Sequence, residues 1–320
     1  MQKYEELEIE YAKYIGTSYA VSTNTGMSAL HLALLSIGIH KGDEVIVPLY
    51  TFAGCAFAVS YCGAIPVFVD CTDDLLIDVK KIKAKITSKT KAIMPVHLYG
   101  RICQMDEIIK IAKKYKLRII EDVCEAQGSS YKGKMCGSFD IGVFSFYINK
   151  IIPAEEGGII TTNDLGVATR ANYLKNLCFN REHNFIHNEI GYNYRMPNAE
   201  ANYALANLRL VNQTQERRYR VESWYNKYIK DEYKMPLRSV CWVFDIKHQQ
   251  KDKVVKLLNE KGIQARHGFK PMTMSKPYFN KNYTRTKAYK VSKEVMYLPV
   301  SPLMTEEMVV DICKLVNQGV

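Results

Sequence analysis

The sequence predicts an α/β protein: a mostly parallel central sheet with helices on both faces, followed by a smaller C-terminal α/β unit. Three observations predict it. Short β-branched or aromatic runs alternate with helical periodicity over the first two hundred residues, as in strands joined by crossover helices. The texture then changes, because residues 198–230 read as one long helix or two joined end to end. Finally, 320 residues suit a large domain over 1–205 and a small one over 206–320, joined through that long helix.

Taken in order, "QKYEELEIEYAKYIG" is an acidic amphipathic helix. "MSALHLALLSIGI" (27–39) is a second helix that closes at the glycine of "HKGDEVIVP". "EVIVP" (44–48), "IPVFVD" (65–70), "AIMPVHL" (92–98), "LRIIED" (117–122), "IGVFSFY" (141–147) and "GIITT" (158–162) are strands bounded by turn residues. Between two of them, "MDEIIKIAKKYK" (105–116) is a surface helix with Ile108, Ile109, Ala112 and Tyr115 on one face. The smaller unit contains "VCWVFDI" (240–246), the helix "KDKVVKLLNEKG" (251–262) and a last helix from Thr305 to about Asn317.

Composition narrows the class. Hydrophobic content of 47% with 24% charged residues is that of a soluble globular protein. No apolar run approaches the roughly 20 residues that span a bilayer, and no signal peptide precedes the first helix, so a cytoplasmic location without membrane contact is expected. The nine cysteines stand singly with no Cys-x-x-Cys pair, which indicates neither a disulfide framework nor a metal site. The net charge of +11 is lysine spread along solvated helix faces, as in residues 79–92 and 111–118, with no Arg-rich helix. Nucleic-acid binding is therefore not expected, whereas a phosphate-bearing substrate is compatible.

Ligands of open α/β sheets collect at the carboxyl ends of strands and at helix N-termini. Four pieces fall at such places. "TNTGMSAL" (23–30) is a Gly turn entering a helix with Ser28 in its first turn; a phosphate cradle and an ordinary capped helix look alike here. Asp122 ends "LRIIED", where a helix cap is the bland alternative. "PLYTF" (48–52) offers a ring just after a strand, or core packing. Lys150 stands among apolar neighbours in "FSFYINKIIPAEEGG" (144–158), five residues after Ser145. Singly each has a bland explanation, but in this order they form the kit that pyridoxal 5′-phosphate requires. A lysine amine bonds the cofactor, a carboxylate keeps its ring nitrogen protonated, a ring stacks on it and a cradle takes its phosphate.

With these pieces in place, the chain resembles the DegT/DnrJ/EryC1/StrS family of sugar aminotransferases, which have the PLP-dependent transferase fold type I. The resemblance is carried by "YAVSTNTGMSALHLALLSIGIHKGDEVIVP", "IIEDVCEAQGSSYKGKMCGSFDIGVFSFYINK", "EEGGIITTND" and "GYNYRMPNAEANYALANL", and continues weakly through "EKGIQARHGFKPM". It implies that Lys150 anchors the cofactor and moves the proton, that Asp122 pairs with the ring nitrogen, and that Phe52 stacks. Ser145, Ser28 and the amide of Met27 would hold the phosphate. Glu125 stands where many members have Gln or His beside the cofactor. Asn193 would reach the cofactor phosphate of a neighbouring subunit, with His187 lining the same shared site, so a homodimer is implied. His97 would sit near the sugar or pack in the core. Arg266 and His267 are candidate contacts to sugar or diphosphate.

The resemblance further implies transamination of a nucleotide-linked keto-deoxysugar with L-glutamate as donor. "FYINKII", with Asn149 before the lysine, resembles the 4-aminotransferases of the perosamine and viosamine type. Departures from the family pattern are Thr25-Gly26-Met27-Ser28 in place of Ser-Gly-Thr-Ala, and a loop stiffened and charged by Pro153 and Glu155. Some relatives are dehydratases with histidine in place of the lysine, a reading that Lys150 opposes. A non-catalytic sensor is supported by nothing but charge.

Overall fold

The computed structural model describes residues 1–179 and 185–319. The elements of the first part are α1 (Lys3–Ile15), β1 (Tyr19–Thr23), α2 (Gly26–Ser36), β2 (Glu44–Pro48), α3 (Gly54–Tyr61), β3 (Ile65–Val69), α4 (Val79–Ile82), β4 (Thr90–Ile93), α5 (Met105–Tyr115) and β5 (Arg118–Asp122). A small hairpin, β6 (Ser130–Tyr131) and β7 (Lys134–Met135), leads to β8 (Ile141–Ser145), β9 (Gly158–Thr162) and α6 (Leu165–Lys175). The chain continues through α7 (Asn198–Arg209), α8 (Val211–Tyr228), β10 (Phe244–Lys247), α9 (Lys251–Glu260), β11 (Arg266–His267), α10 (Lys287–Val291), β12 (Val295–Leu298) and α11 (Glu306–Gln318).

Seven strands form one sheet in the order β1-β9-β8-β5-β4-β2-β3. The block from β8 to β3 is parallel throughout, while β9 runs antiparallel to both β8 and β1. The reversal follows from the connection. The loop between β8 and β9 returns the chain beside itself, whereas helices α3 and α5 carry the chain between the parallel neighbours β2 and β3 and β4 and β5. Helix α2 packs on α3 and α6, and α1 packs on α7, so the sheet is covered by two sets of helices. A three-stranded antiparallel sheet, β10-β12-β11, lies with α8, α9 and α11 around a second hydrophobic cluster that includes Tyr225, Phe244 and Ile312. These features give the α/β architecture that the alternating sequence pattern predicts.

One local expectation is corrected and one alternative is decided. The buried face of α5 is Met105, Ile108, Ile111 and Ala112, while Tyr115 is exposed at the helix end. The long helix is two, broken where Leu210 leaves helical geometry (φ −102°, ψ 5°). Strand β1 went unrecognised in "YAVST", and so did α6 and β12. Among the described residues no helix is long and apolar enough to cross a membrane.

Buried charge ties the two parts together. Arg101, following β4, donates through Nη1 and Nη2 to Asp245 of β10 at 2.8 and 2.9 Å. Arg238 donates to Asp245 (3.0 Å) and to Glu222 of α8 (2.7 Å). Asp245 is fully buried, so this network fixes the small sheet against the loop that follows β4.

Candidate active site

The carboxyl ends of β1, β5 and β8 converge on a cavity of about 480 Å³. Its floor is set by the lysine loop. After β8 the chain makes turns in which Lys150 N–H donates to Tyr147 O (2.8 Å) and Ala154 N–H to Phe146 O (2.6 Å). Gln127 takes the Ile152 N–H with its Oε1 (2.9 Å), and Glu200 of α7 takes the amides of Glu155 and Glu156. Trp242 donates its indole N–H to Asn149 O at 2.9 Å and lays its ring 4.1 Å from Lys150 Nζ. The loop is thus pinned from both sides, and Lys150 projects into the cavity from a fixed base.

Glycines explain how the neighbouring helix comes so close. A Cβ on Gly26 would stand 2.8 Å from Ser145 Cβ, so only glycine lets the N-terminus of α2 meet the end of β8. Gly157 has φ +142°, a conformation that side chains disfavour, and a Cβ on Gly158 would stand 2.8 Å from Gly26 N. The "EEGG" turn is therefore built for close approach. Thr25 caps α2, its Oγ1 accepting from Ser28 N–H (3.0 Å) and its carbonyl from Ala29 N–H (3.1 Å). The amides of Gly26 and Met27 are left without an intrahelical partner at the cavity wall, where they favour an anion.

Asp122, Glu125 and Glu156 bring carboxylates to this cavity. Asp122 accepts from Cys55 S–H on Oδ2 and from Cys124 N–H on Oδ1, each at 3.0 Å, and is buried. Glu125 Oε2 accepts from Tyr99 N–H at 2.9 Å. Burial pushes the Glu125 carboxyl up to about 7, against the opposing pull of the Lys150 charge and of that N–H. Tyr99 adopts φ +51°, uncommon for a residue with a side chain, and stacks on Phe269 with centroids 5.4 Å apart. Phe52 is 56% exposed and stands at the rim, 6.0 Å from Phe269.

Of the residues singled out from sequence, Met27, Phe52, Asp122, Glu125, Ser145, Lys150 and Arg266 line this one cavity. Others lie elsewhere. Ser28 is turned from the cavity, its hydroxyl donating to Asn24 Oδ1 (2.6 Å) and lying 2.9 Å from Thr25 Oγ1, so Thr25 stands at the wall in its place. His97 is fully buried. Its Nδ1 accepts from Cys103 N–H (3.2 Å), which leaves Nε2 to donate to Glu121 (3.2 Å), and the packed-core alternative holds. Glu121 also accepts the amides of Gly137 and Phe139, so the His97–Glu121 pair, which lies beside Cys136, is already hydrogen-bonded. His267 leans on Asp252 (3.3 Å) outside the cavity. His187 donates from Nδ1 to Leu177 O (2.7 Å) on the exposed surface. Asn193, paired with Asn176, lines a separate polar cavity with Lys175 and Arg195.

Sequence reading missed Trp242, Phe269, Tyr297 and Tyr147, which complete the apolar wall. Trp242 lies more than ninety positions from Lys150, within a run that reads as an ordinary strand. One of only two tryptophans in the chain, its rarity was the one available signal.

Comparison with known proteins agrees with this geometry. Residues 2–317 match the model of the DegT/DnrJ/EryC1/StrS aminotransferase family, whose members depend on pyridoxal phosphate. The GDP-perosamine synthase of Caulobacter vibrioides is 41% identical over 288 residues, 85% of this chain and 78% of that protein. The dTDP-3-amino-3,6-dideoxy-alpha-D-galactopyranose transaminase of Aneurinibacillus thermoaerophilus is 35% identical over 329 residues, 98% of this chain and 89% of that one. Among solved structures, S. venezuelae DesV superposes with a TM-score of 0.93 at 29% identity, covering 99% of this chain and 89% of that one. The chain belongs to the DegT/DnrJ/EryC1/StrS aminotransferase family.

Proposed function

We propose that the chain transfers an amino group from L-glutamate to the 4-keto group of a GDP- or dTDP-linked 6-deoxyhexose, with pyridoxal 5′-phosphate as cofactor and two copies sharing their sites. The observation that carries this reading is one cavity holding a lysine, the carboxylates of Asp122, Glu125 and Glu156, and the free amides of α2. These residues fit the cofactor: Lys150 to anchor it, Gly26, Met27 and Ser145 to hold its phosphate, Asp122 for its ring nitrogen and Phe52 to stack. When bound, the cofactor supplies an electron sink for the pair released at the donor's Cα–H bond.

The chain's own residues supply the rest. The Lys150 amine takes the donor's Cα proton and, in the second half-reaction, would give a proton to the sugar carbon that receives the amine, which needs a base held in place, and its loop is pinned at Asn149, Ile152 and Glu155. Asp122, fixed by Cys55 and Cys124, holds a proton on the ring nitrogen. Trp242, Phe269 and Tyr297 form the apolar wall beside the lysine. Amination at C4 is favoured by the higher identity to the GDP-perosamine synthase, 41% against 35% for the 3-amino transaminase. Incubation with glutamate and GDP- and dTDP-linked 4-keto-6-deoxyhexoses, read by product mass and NMR, tests the reading. Nitrogen found at C3 would refute the regiochemistry, and ammonia release without amino transfer would mark a dehydratase.

A further inference from the structure

The two carboxylate oxygens of Asp122 take unequal donors. Oδ1 accepts the backbone N–H of Cys124 and Oδ2 the thiol S–H of Cys55, each at 3.0 Å. The Cys124 thiol instead faces Val143 O at 3.9 Å. Cys55 stands in the first turn of α3, far from Asp122 in the chain, and is fully buried.

Thr51, also buried, places its Oγ1 3.6 Å from the Cys55 sulfur. Because the single thiol proton lies on Asp122, the hydroxyl is the donor in that contact. Burial, and then the Asp122 charge, push the thiol well above its ordinary value, so the proton stays on sulfur. The start of α3 is pressed on the cavity wall as well: a Cβ on Gly54 would stand 2.8 Å from Met27 Sδ and 3.0 Å from the Phe52 ring. One short stretch, from Thr51 to Cys55, therefore sets a ring at the cavity rim and a proton donor on the carboxylate.

We infer that Cys55 is a positioning residue for Asp122, one that fixes the carboxylate while leaving it basic enough to hold the ring-nitrogen proton of the bound cofactor. The inference rests on the proposed function. A carboxylate held on one oxygen alone can turn about its terminal bond, and a second donor from α3 stops it. Any donor would do that, but donors differ in what they withdraw. A donor to the charged form makes the carboxylate less basic, and an O–H does so more than an S–H, which is weak. A thiol meets both demands, because it restrains Asp122 and leaves most of the negative charge for the ring nitrogen.

The test loads the protein with pyridoxal phosphate carrying nitrogen-15 in its ring and follows the ring-nitrogen resonance against pH. The midpoint at which the ring loses its proton is the readout, with cofactor affinity measured beside it. Cys55→Ser exchanges the weak donor for a stronger one, so the midpoint should fall by about one pH unit while affinity stays within about twofold. Cys55→Ala removes the donor and frees the carboxylate to turn, so affinity should fall about fivefold and the midpoint should fall with it. A wild-type midpoint in either variant overturns the inference, even where thermal stability drops, because a residue that only packs the core does not move the ring proton. A midpoint that rises in Cys55→Ser overturns it too. Each variant decides alone should the other not fold. Wild-type protein that takes up no cofactor overturns this inference together with the proposed function. Product analysis tests transamination separately, so a protein that aminates sugar nucleotides while both variants keep the wild-type midpoint refutes this inference alone.

Discussion

Nζ of Lys150 lies 4.1 Å from the ring centroid of Trp242, and the same indole donates its N–H to Asn149 O, one residue before the lysine. One side chain therefore both faces the amine and anchors its backbone. Trp242→Phe keeps a ring but loses the hydrogen bond, and should cut kcat about fivefold, as expected for roughly 1 kcal/mol. Trp242→Ala loses the face as well and should cost about 50-fold. Equal rates for the two variants in steady-state assays would show that the ring face contributes nothing.

The Glu125 carboxyl, raised to about 7 from an ordinary 4.5, links pH to stability. A carboxyl with a raised folded-state value contributes no penalty below pH 4.5. Its penalty grows as the pH rises and is complete above 7, reaching about 3 kcal/mol. Glu125→Gln should therefore gain stability relative to wild type on going from pH 5 to pH 8. Thermal unfolding at both values measures it, and a gap between the proteins that does not change with pH would contradict the assignment.

Gly26→Ala places a methyl 2.8 Å from Ser145 Cβ, so α2 and the end of β8 must separate. The variant should lose about 1–3 kcal/mol of stability and bind pyridoxal phosphate at least about tenfold more weakly. Absorbance titration of the cofactor-stripped protein reads the affinity. Normal affinity would remove the α2 amides from the phosphate site.

Asp245 is fully buried between Arg101 and Arg238. Asp245→Ala leaves two buried guanidiniums short of a partner and should cost about 3–5 kcal/mol in urea unfolding. An unshifted unfolding midpoint would show that the network adds nothing to the joint between the two sheets.

Asn193 and His187 do not line the lysine cavity of their own chain. If Asn193 serves a second copy, Lys150→Ala and Asn193→Ala proteins are each nearly inactive, and mixed dimers recover about half the wild-type rate through one intact site. Mixed dimers without activity would place Asn193 in the service of its own subunit, or of none.

By itself the sequence determined the alternating elements, the cavity's lysine, the carboxylates of Asp122 and Glu125 and the helix N-terminus. These lie at strand ends or in short motifs whose local spacing carries the chemistry, as in Asp122 after "LRIIE" and Gly26 after "TNT". Tertiary structure decided what local pattern cannot express. It turned Ser28 toward Asn24 and set Thr25 at the wall, because the cap of α2 competes for the serine hydroxyl. It buried His97 against Glu121 and left His267 outside, because a histidine in a motif does not reveal which way its strand or turn faces. It also brought Trp242 over Lys150 and set Arg218 on the carbonyls of Trp242 and Val300, with no carboxylate partner among the described residues. Both follow from docking the second sheet on the first through Asp245, a contact between residues more than a hundred positions apart that no local period encodes.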